Sequence, residues 1–218
     1  MLHEDHRKGN LNLIAIIDYG MGNLGSVKKA FDHLKYDSCI TSDPSVIKAA
    51  SGVVLPGVGA FGAAMENLQV SKLDIAVKEV VEAGTPFLGI CLGMQLLMDG
   101  SEECTDLWKD EEPISGLGII PGRVRRFPDK GLKVPQIGWN RLEDVTGSLL
   151  SEGDYVYLVH SYYCEPEDKA DAAAFVDYGI KYCAAFERGN IFATQFHPEK
   201  SGEAGLQILS KFARRTAR

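Results

Sequence analysis

Residues Leu11 to Tyr19 (LNLIAIIDY) are apolar at almost every position, the pattern of a strand covered on both faces. A glycine-rich turn, GMGNLG, follows, and Val27, Ala30, Phe31 and Leu34 then recur at helical spacing across Ser26 to Leu34. SCIT from Ser38 reads as a second short strand. Asp43 before Pro44 starts a helix, because the aspartate caps and the proline suits the first helical position. GVVLPGVG from Gly52 is a third strand running into a loop, and Leu73 to Ala83 is an amphipathic helix closed by Gly84. In PFLGICLGMQLL, Phe87, Leu88 and Ile90 form a fourth buried strand, after which Leu92, Met94, Gln95, Leu96 and Leu97 continue as a helix.

Strands alternating with helices over the first hundred residues predict parallel βαβ units joined by right-handed crossovers. From about Ile114 the pattern changes. GLGIIPGRVRRF, KVPQIGWNRL, YVYLVHSYY, AAAFVDY and NIFATQF are strand-like runs with little helical spacing between them. A last helix, Glu203 to Arg214, puts Ala204, Ile208, Leu209 and Phe212 on one face. The expected fold class is α/β, a mainly parallel central sheet flanked by helices with a strand-rich second half. Residues 11–218 read as a single domain. Residues 1–10, polar and mixed in charge, read as a flexible N-terminal extension.

Composition narrows the chemistry. With 218 residues, 45% of them hydrophobic, the chain is long enough to bury a large core. A net charge of -7 argues against binding a phosphate backbone, which takes clustered Lys and Arg; Arg123, Arg125 and Arg126 read as a solvated strand face. Five cysteines, Cys39, Cys91, Cys104, Cys164 and Cys183, are odd in number and contain no C-x-x-C pair, so neither a disulfide framework nor a metal site is expected. A reducing, cytoplasmic setting fits them. No stretch is long enough to span a membrane, and no signal-peptide pattern opens the chain.

Cys91 stands where the apolar run changes period, between two glycines. GICLG has the G-x-nucleophile-x-G form of a nucleophile elbow, whose small flanking residues permit a tight turn that exposes the central side chain. A free thiol titrates near about 8.5, so at neutral pH few such groups are thiolate. Backbone N–H groups at the start of the following helix favour the anion. A lone cysteine reads first as a buried structural residue, and the elbow pattern brings the nucleophile reading level with it.

A second motif supplies the missing base. In QFHPEKS, His197 and Glu199 are two apart, so on extended chain both side chains point one way, with Pro198 holding the backbone out of helix. Glu199 would accept from one ring nitrogen and leave the other facing Cys91, the logic of a nucleophile-base-acid triad. In LPGVGAF, a strand ending in Pro-Gly-Val-Gly offers backbone N–H groups without side chains in the way, as an oxyanion hole needs. The expected donors are the N–H of Leu92, supplied by the elbow, and that of Val58 after its peptide rotates. GMGNLG has dinucleotide-binding spacing, but no suitable acidic residue ends the second strand, so that reading is set aside.

Together GICLGMQ and HPE resemble the class I (triad) glutamine amidotransferases, from Leu11 onward. A narrower resemblance, to the members that serve as glutaminase subunits in histidine biosynthesis, rests on DYGMGNLGSV, LPGVGAFG, Met94 where many relatives carry histidine, and Gly138-Trp139-Asn140. The resemblance implies a flavodoxin-like domain with Cys91, His197 and Glu199 as triad and no cofactor. It further implies Gly59, Gln95, Glu103, Ser161 and Tyr162 as contacts for glutamine. It implies a (β/α)8-barrel cyclase as heterodimer partner, met near Trp139, Asn140, Tyr157 and Lys200. Gln136 departs from the histidine common in the family, which touches only the partner-facing surface. Two rivals are a glutaminase subunit of another pathway, such as anthranilate synthesis, and a catalytically silent scaffold. Met94 with Gly138-Trp139-Asn140 argues against the first, and three chemically competent triad positions against the second.

Overall fold

The computed structural model describes residues 12–103, 113–128 and 131–217. The proposed extension 1–10 and Cys104 lie outside them. Six helices and thirteen strands follow in this order: β1 (Ile14–Ile17), α1 (Leu24–His33), β2 (Ser38–Thr41), α2 (Pro44–Ala49), β3 (Gly52–Gly57), α3 (Phe61–Val70), α4 (Leu73–Glu82), β4 (Phe87–Cys91), α5 (Leu92–Leu96), β5 (Met98–Ser101), β6 (Ile114–Ser115), β7 (Ile120–Arg126), β8 (Gln136–Arg141), β9 (Tyr155–His160), β10 (Tyr162–Pro166), β11 (Ala172–Asp177), β12 (Lys181–Arg188), β13 (Ile191–Thr194) and α6 (Gly202–Arg215).

The apolar run in β1 has the cause its pattern suggests. Ile14 and Ile16 enter one core with Val27 and Phe31 of α1 and Leu209 and Phe212 of α6. Ala15 and Ile17 enter the opposite core, with Ile47 of α2, Phe61 and Leu68 of α3 and Val77 of α4. Helices thus cover both faces of the sheet. Asp43 caps α2 as expected, its Oδ1 accepting from Ser45 N at 2.8 Å.

Strands β2, β1, β3, β4 and β13 lie side by side and parallel, the flavodoxin-like 2-1-3-4-5 order with β13 in fifth place. Beyond β13 the sheet continues through β12, β10, β7, β5 and β6, with antiparallel pairing except between β5 and β7. β11 pairs with β12, and β8 with β9 forms a separate two-stranded ribbon. The run YVYLVHSYY is therefore two strands, broken at Ser161: β9 belongs to the ribbon and β10 to the main sheet. Four elements lie outside the pattern-based expectation, namely α3, β5, β6 and β12. In α3 the spacing Phe61, Ala64, Met65, Leu68 is helical and all four are buried, but the glycine-rich loop before it obscured its start. Among the described residues, no helix is long and apolar enough to cross a membrane.

Candidate active site

Parallel α/β sheets present ligand sites at the carboxyl ends of their strands. Here β3 ends at Gly57, directly opposite Cys91 at the end of β4, and β13 ends at Thr194, the partner of Ile90. The chain leaving β13 carries Gln195, His197 and Glu199 to the same edge.

Cys91 has φ +55° and ψ -108°, a left-handed conformation that L-residues with a side chain rarely adopt. The glycines on either side are required by space. A Cβ on Gly93 would come within 1.8 Å of Leu55 O, and one on Gly89 within 2.9 Å of Gly93 O. The elbow is thus held by backbone packed on backbone. α5, which Cys91 precedes, has five residues, so the nucleophile's environment owes more to the turn than to the field of a long helix.

His197 Nδ1 lies 2.9 Å from Glu199 Oε1, and the two side chains are 2% and 1% exposed. The pair does not sit on extended chain, as the two-residue spacing suggested. Pro198–Lys200 is a single 3-10 turn with His197 at its start, and that turn folds the carboxylate back beneath the ring. β9 anchors the turn: His197 N donates to Tyr157 O (3.0 Å), Tyr157 N donates to Ser201 Oγ (3.0 Å), and Ser201 Oγ donates to His197 O (2.7 Å). Burial acts to lower the imidazole pKa, but Cys91 and the Glu199 carboxylate outweigh it and raise it to about 9. Nε2 has no hydrogen-bond partner among the described residues, and neither has Glu199 Oε2.

Cys91, Leu92 and His197 line a cavity of about 360 Å3 together with Val58, Gly59, Gln95, Glu103, Ser161, Tyr162 and Lys200. All the glutamine and oxyanion contacts expected from the sequence are therefore brought to one place. Glu103 and Gln95 among them have side-chain hydrogen bonds within the protein. Glu103 Oε2 accepts from Phe61 N at 2.5 Å, which places the carboxylate at the start of α3, and burial raises its pKa against the lowering effect of that bond. Gln95 Nε2 donates to Tyr162 O and to Gln195 Oε1, both at 3.0 Å, which leaves only its oxygen for a ligand. Trp139, Asn140 and Tyr157 do not line this cavity. They lie on the β8–β9 ribbon, where Trp139 is 54% exposed and its ring stands 6.0 Å from that of Tyr157.

Two residues enter the site unannounced by the sequence. Gln195, wholly buried, points Nε2 at Cys91 Sγ from 3.7 Å. His160 lines the cavity wall, its Nδ1 2.7 Å from Tyr162 O and its Nε2 3.1 Å from the Tyr182 hydroxyl; burial drives its pKa down to about 4. Gln195 opens the QFHPEKS motif, but its orientation depends on Gln95, a hundred residues away. Among the described residues, no group of three or more His, Cys, Asp or Glu is placed to hold a metal ion.

Comparisons with known proteins place the chain in a family. The family model of glutamine amidotransferase class-I matches residues 15–216. The chain is 50% identical over 203 residues to the imidazole glycerol phosphate synthase subunit HisH of Methanothermobacter thermautotrophicus, covering 92% of this chain and 97% of that one. It is 48% identical over 204 residues to the HisH subunit of Moorella thermoacetica, covering 91% and 93%. A solved glutamine amidotransferase superposes with a TM-score of 0.72 at 16% identity, over 94% of this chain and 99% of that one, a likeness of fold. The chain belongs to the class-I glutamine amidotransferase family and, within it, to the group of imidazole glycerol phosphate synthase HisH subunits.

Proposed function

We propose that this chain is the glutaminase subunit of imidazole glycerol phosphate synthase, a single domain over residues 11–218 acting in the cytoplasm. It hydrolyses glutamine to glutamate and ammonia. It delivers the ammonia to a (β/α)8-barrel cyclase, which forms imidazole glycerol phosphate and aminoimidazole carboxamide ribotide in histidine biosynthesis. The observation that carries the reading is a strained nucleophile elbow at Cys91 sharing one cavity with His197, whose other ring nitrogen is held by Glu199.

The chemistry follows from the charges in place. Nδ1 of His197 faces a carboxylate, so it carries a proton and Nε2 serves the cavity. With its pKa raised to about 9, the ring is an imidazolium at neutral pH. Sγ attacks the side-chain amide carbon of glutamine, and the oxygen that becomes negative is met by the N–H of Leu92 and of Val58. Nε2–H gives its proton to the departing ammonia, leaving a glutamyl thioester. The ring, now neutral, takes a proton from water as that water attacks the thioester and frees glutamate.

Ammonia released into water is protonated and loses its nucleophilic lone pair, which is the reason to pass it directly to a partner. Trp139, Asn140, Tyr157 and Lys200 are assigned to the cyclase interface. An exposed tryptophan braced edge-on by a tyrosine is the kind of rigid aromatic anchor interfaces use. Val58, 40% exposed between Gly57 and Gly59, is assigned as the movable oxyanion donor, with acceptor binding on the cyclase favouring the conformer that aims its N–H inward. Glutamate release by the chain alone, with the cyclase, and with cyclase plus acceptor ligand tests the reading. Strong stimulation in the third mixture is expected, and no glutamate in any of the three would refute it.

A further inference from the structure

The Gln195 side-chain amide faces Cys91 Sγ, and its direction is set by a hydrogen-bond chain that begins at a backbone carbonyl. Tyr162 O can only accept, so the Gln95 group 3.0 Å from it must be the NH2 end. The second proton on that nitrogen then needs an acceptor, and the Gln195 side-chain oxygen stands 3.0 Å away. With its oxygen so engaged, Gln195 turns its own NH2 toward Cys91 Sγ at 3.7 Å. His160 Nδ1 donates to the same Tyr162 carbonyl from 2.7 Å, which fixes the start of the chain a second time. Each amide is therefore oriented by its neighbour, and none is free to rotate without leaving a buried polar atom unpaired.

We infer that Gln195 is a further catalytic residue: its side-chain N–H hydrogen-bonds the Cys91 thiolate, held in place by Gln95, a positioning residue. A hydrogen bond to an ionised acceptor is stronger than one to a neutral acceptor, so the contact favours thiolate over thiol. The titratable groups around the sulfur are His197 with Glu199 behind it, Tyr19 and Cys164, and across the cavity Glu103, Lys200 and His160, the last held neutral by burial. Of these, Tyr19, Cys164 and Glu103 oppose a thiolate when ionised, and His197 spends its proton during turnover. Gln195 keeps its donor at every pH and at every stage. That division of labour lets the His197 proton leave with the ammonia while the Gln195 donor stays at the sulfur through thioester hydrolysis.

Only the turnover arm of the test rests on the glutaminase reading; the thiolate arm does not. Iodoacetamide alkylates Cys91 as Sγ displaces iodide, a reaction of the thiolate, and mass spectrometry of the Cys91 peptide follows it against a Cys91→Ser control. In the complex with the cyclase, Gln195→Met keeps the chain length and removes the donor, while Gln195→Glu keeps the acceptor for Gln95, removes the donor and adds a charge that itself disfavours the thiolate. At pH 7 both variants should be alkylated about tenfold or more slower than the unaltered protein, with the rates converging at pH 10 where thiolate forms regardless. Glutamine kcat should fall by at least as much, with KM little changed. If Met fails to fold, Gln195→Leu, neutral and without the donor, is read by the same criteria. Alkylation at pH 7 equal to the unaltered protein overturns the inference. So does an equal slowing at pH 7 and pH 10, which would mark a change of access to the sulfur. Absence of glutamine turnover in the unaltered complex with normal pH-dependent alkylation would instead strike the functional reading alone.

Discussion

Glu199 Oε1 holds His197 Nδ1 at 2.9 Å while its other oxygen, Oε2, is buried without a partner. This one-sided arrangement suits a carboxylate that orients and charges a ring without itself moving a proton. In Glu199→Gln nothing forces the amide nitrogen toward Nδ1, so the oxygen can still accept. Glutamine turnover should drop about tenfold to a hundredfold in that variant, and by about 10² to 10⁴ in His197→Ala, where the proton carrier is lost. Steady-state glutamate release by both variants, with folding checked by circular dichroism, settles the order. Equal losses in two folded variants would contradict the orienting role.

The two buried histidines predict opposite limbs of a pH profile. His197 is raised to about 9, so its stabilising contribution is complete below the unfolded value near about 6.5 and is lost as pH rises through about 9. His160 is lowered to about 4, so the unfolded chain binds the extra proton first, and stability is lost as pH falls from about 6.5 toward about 4. Thermal melts across pH should therefore show a maximum near neutrality. His197→Ala should flatten the alkaline limb and His160→Gln the acid limb. An alkaline limb unchanged in His197→Ala would contradict the assignment, and kcat/KM should also fall as pH passes about 9 and the imidazolium is lost.

Gly93→Ala should be severely destabilising, by at least about 2–3 kcal/mol, because the added methyl would lie 1.8 Å from the Leu55 carbonyl oxygen with backbone on both sides. Gly57→Ala meets the Tyr19 hydroxyl at 2.5 Å, Leu92 Cβ at 2.8 Å and Gly93 N at 3.0 Å. It consequently disturbs the elbow itself and does not isolate rotation of the Val58 peptide. Gly59 has φ +104° and faces only the flexible tip of Met21, so Gly59→Ala strains the loop locally. Urea melts should rank Gly93→Ala as the least stable of the three, and a Gly93→Ala protein as stable as the unaltered one would show that β3 and α5 are less tightly packed than described.

The parallel half of the fold was legible because burial on both faces leaves an unambiguous mark, as in the unbroken apolar run of β1. The elbow was legible for a similar reason, since glycines at 89 and 93 are demanded by contacts a local turn must make. Where residues acquire meaning from distant partners, the pattern was silent. β12 reads as an ordinary mixed segment, KYCAAFER, until β10, β11 and β13 surround it. Ser161 divides two strands because β9 and β10 join different sheets, which no local alternation records. His197 and Glu199 were found as a pair, but the 3-10 turn that brings them together depends on anchoring by Tyr157 and Ser201. Gln195 carried no sign of its role, because its side chain is aimed by Gln95 and Tyr162.

The central claim is that Cys91 carries the covalent step for a partner that uses the ammonia. The most direct measurement is synthesis of imidazole glycerol phosphate by the Cys91→Ser chain in complex with the cyclase, fed either glutamine or an ammonium salt. The account predicts no product above background with glutamine and undiminished product with ammonium. Glutamine-driven synthesis at the level of the unaltered complex would remove Cys91 from the mechanism and contradict the account.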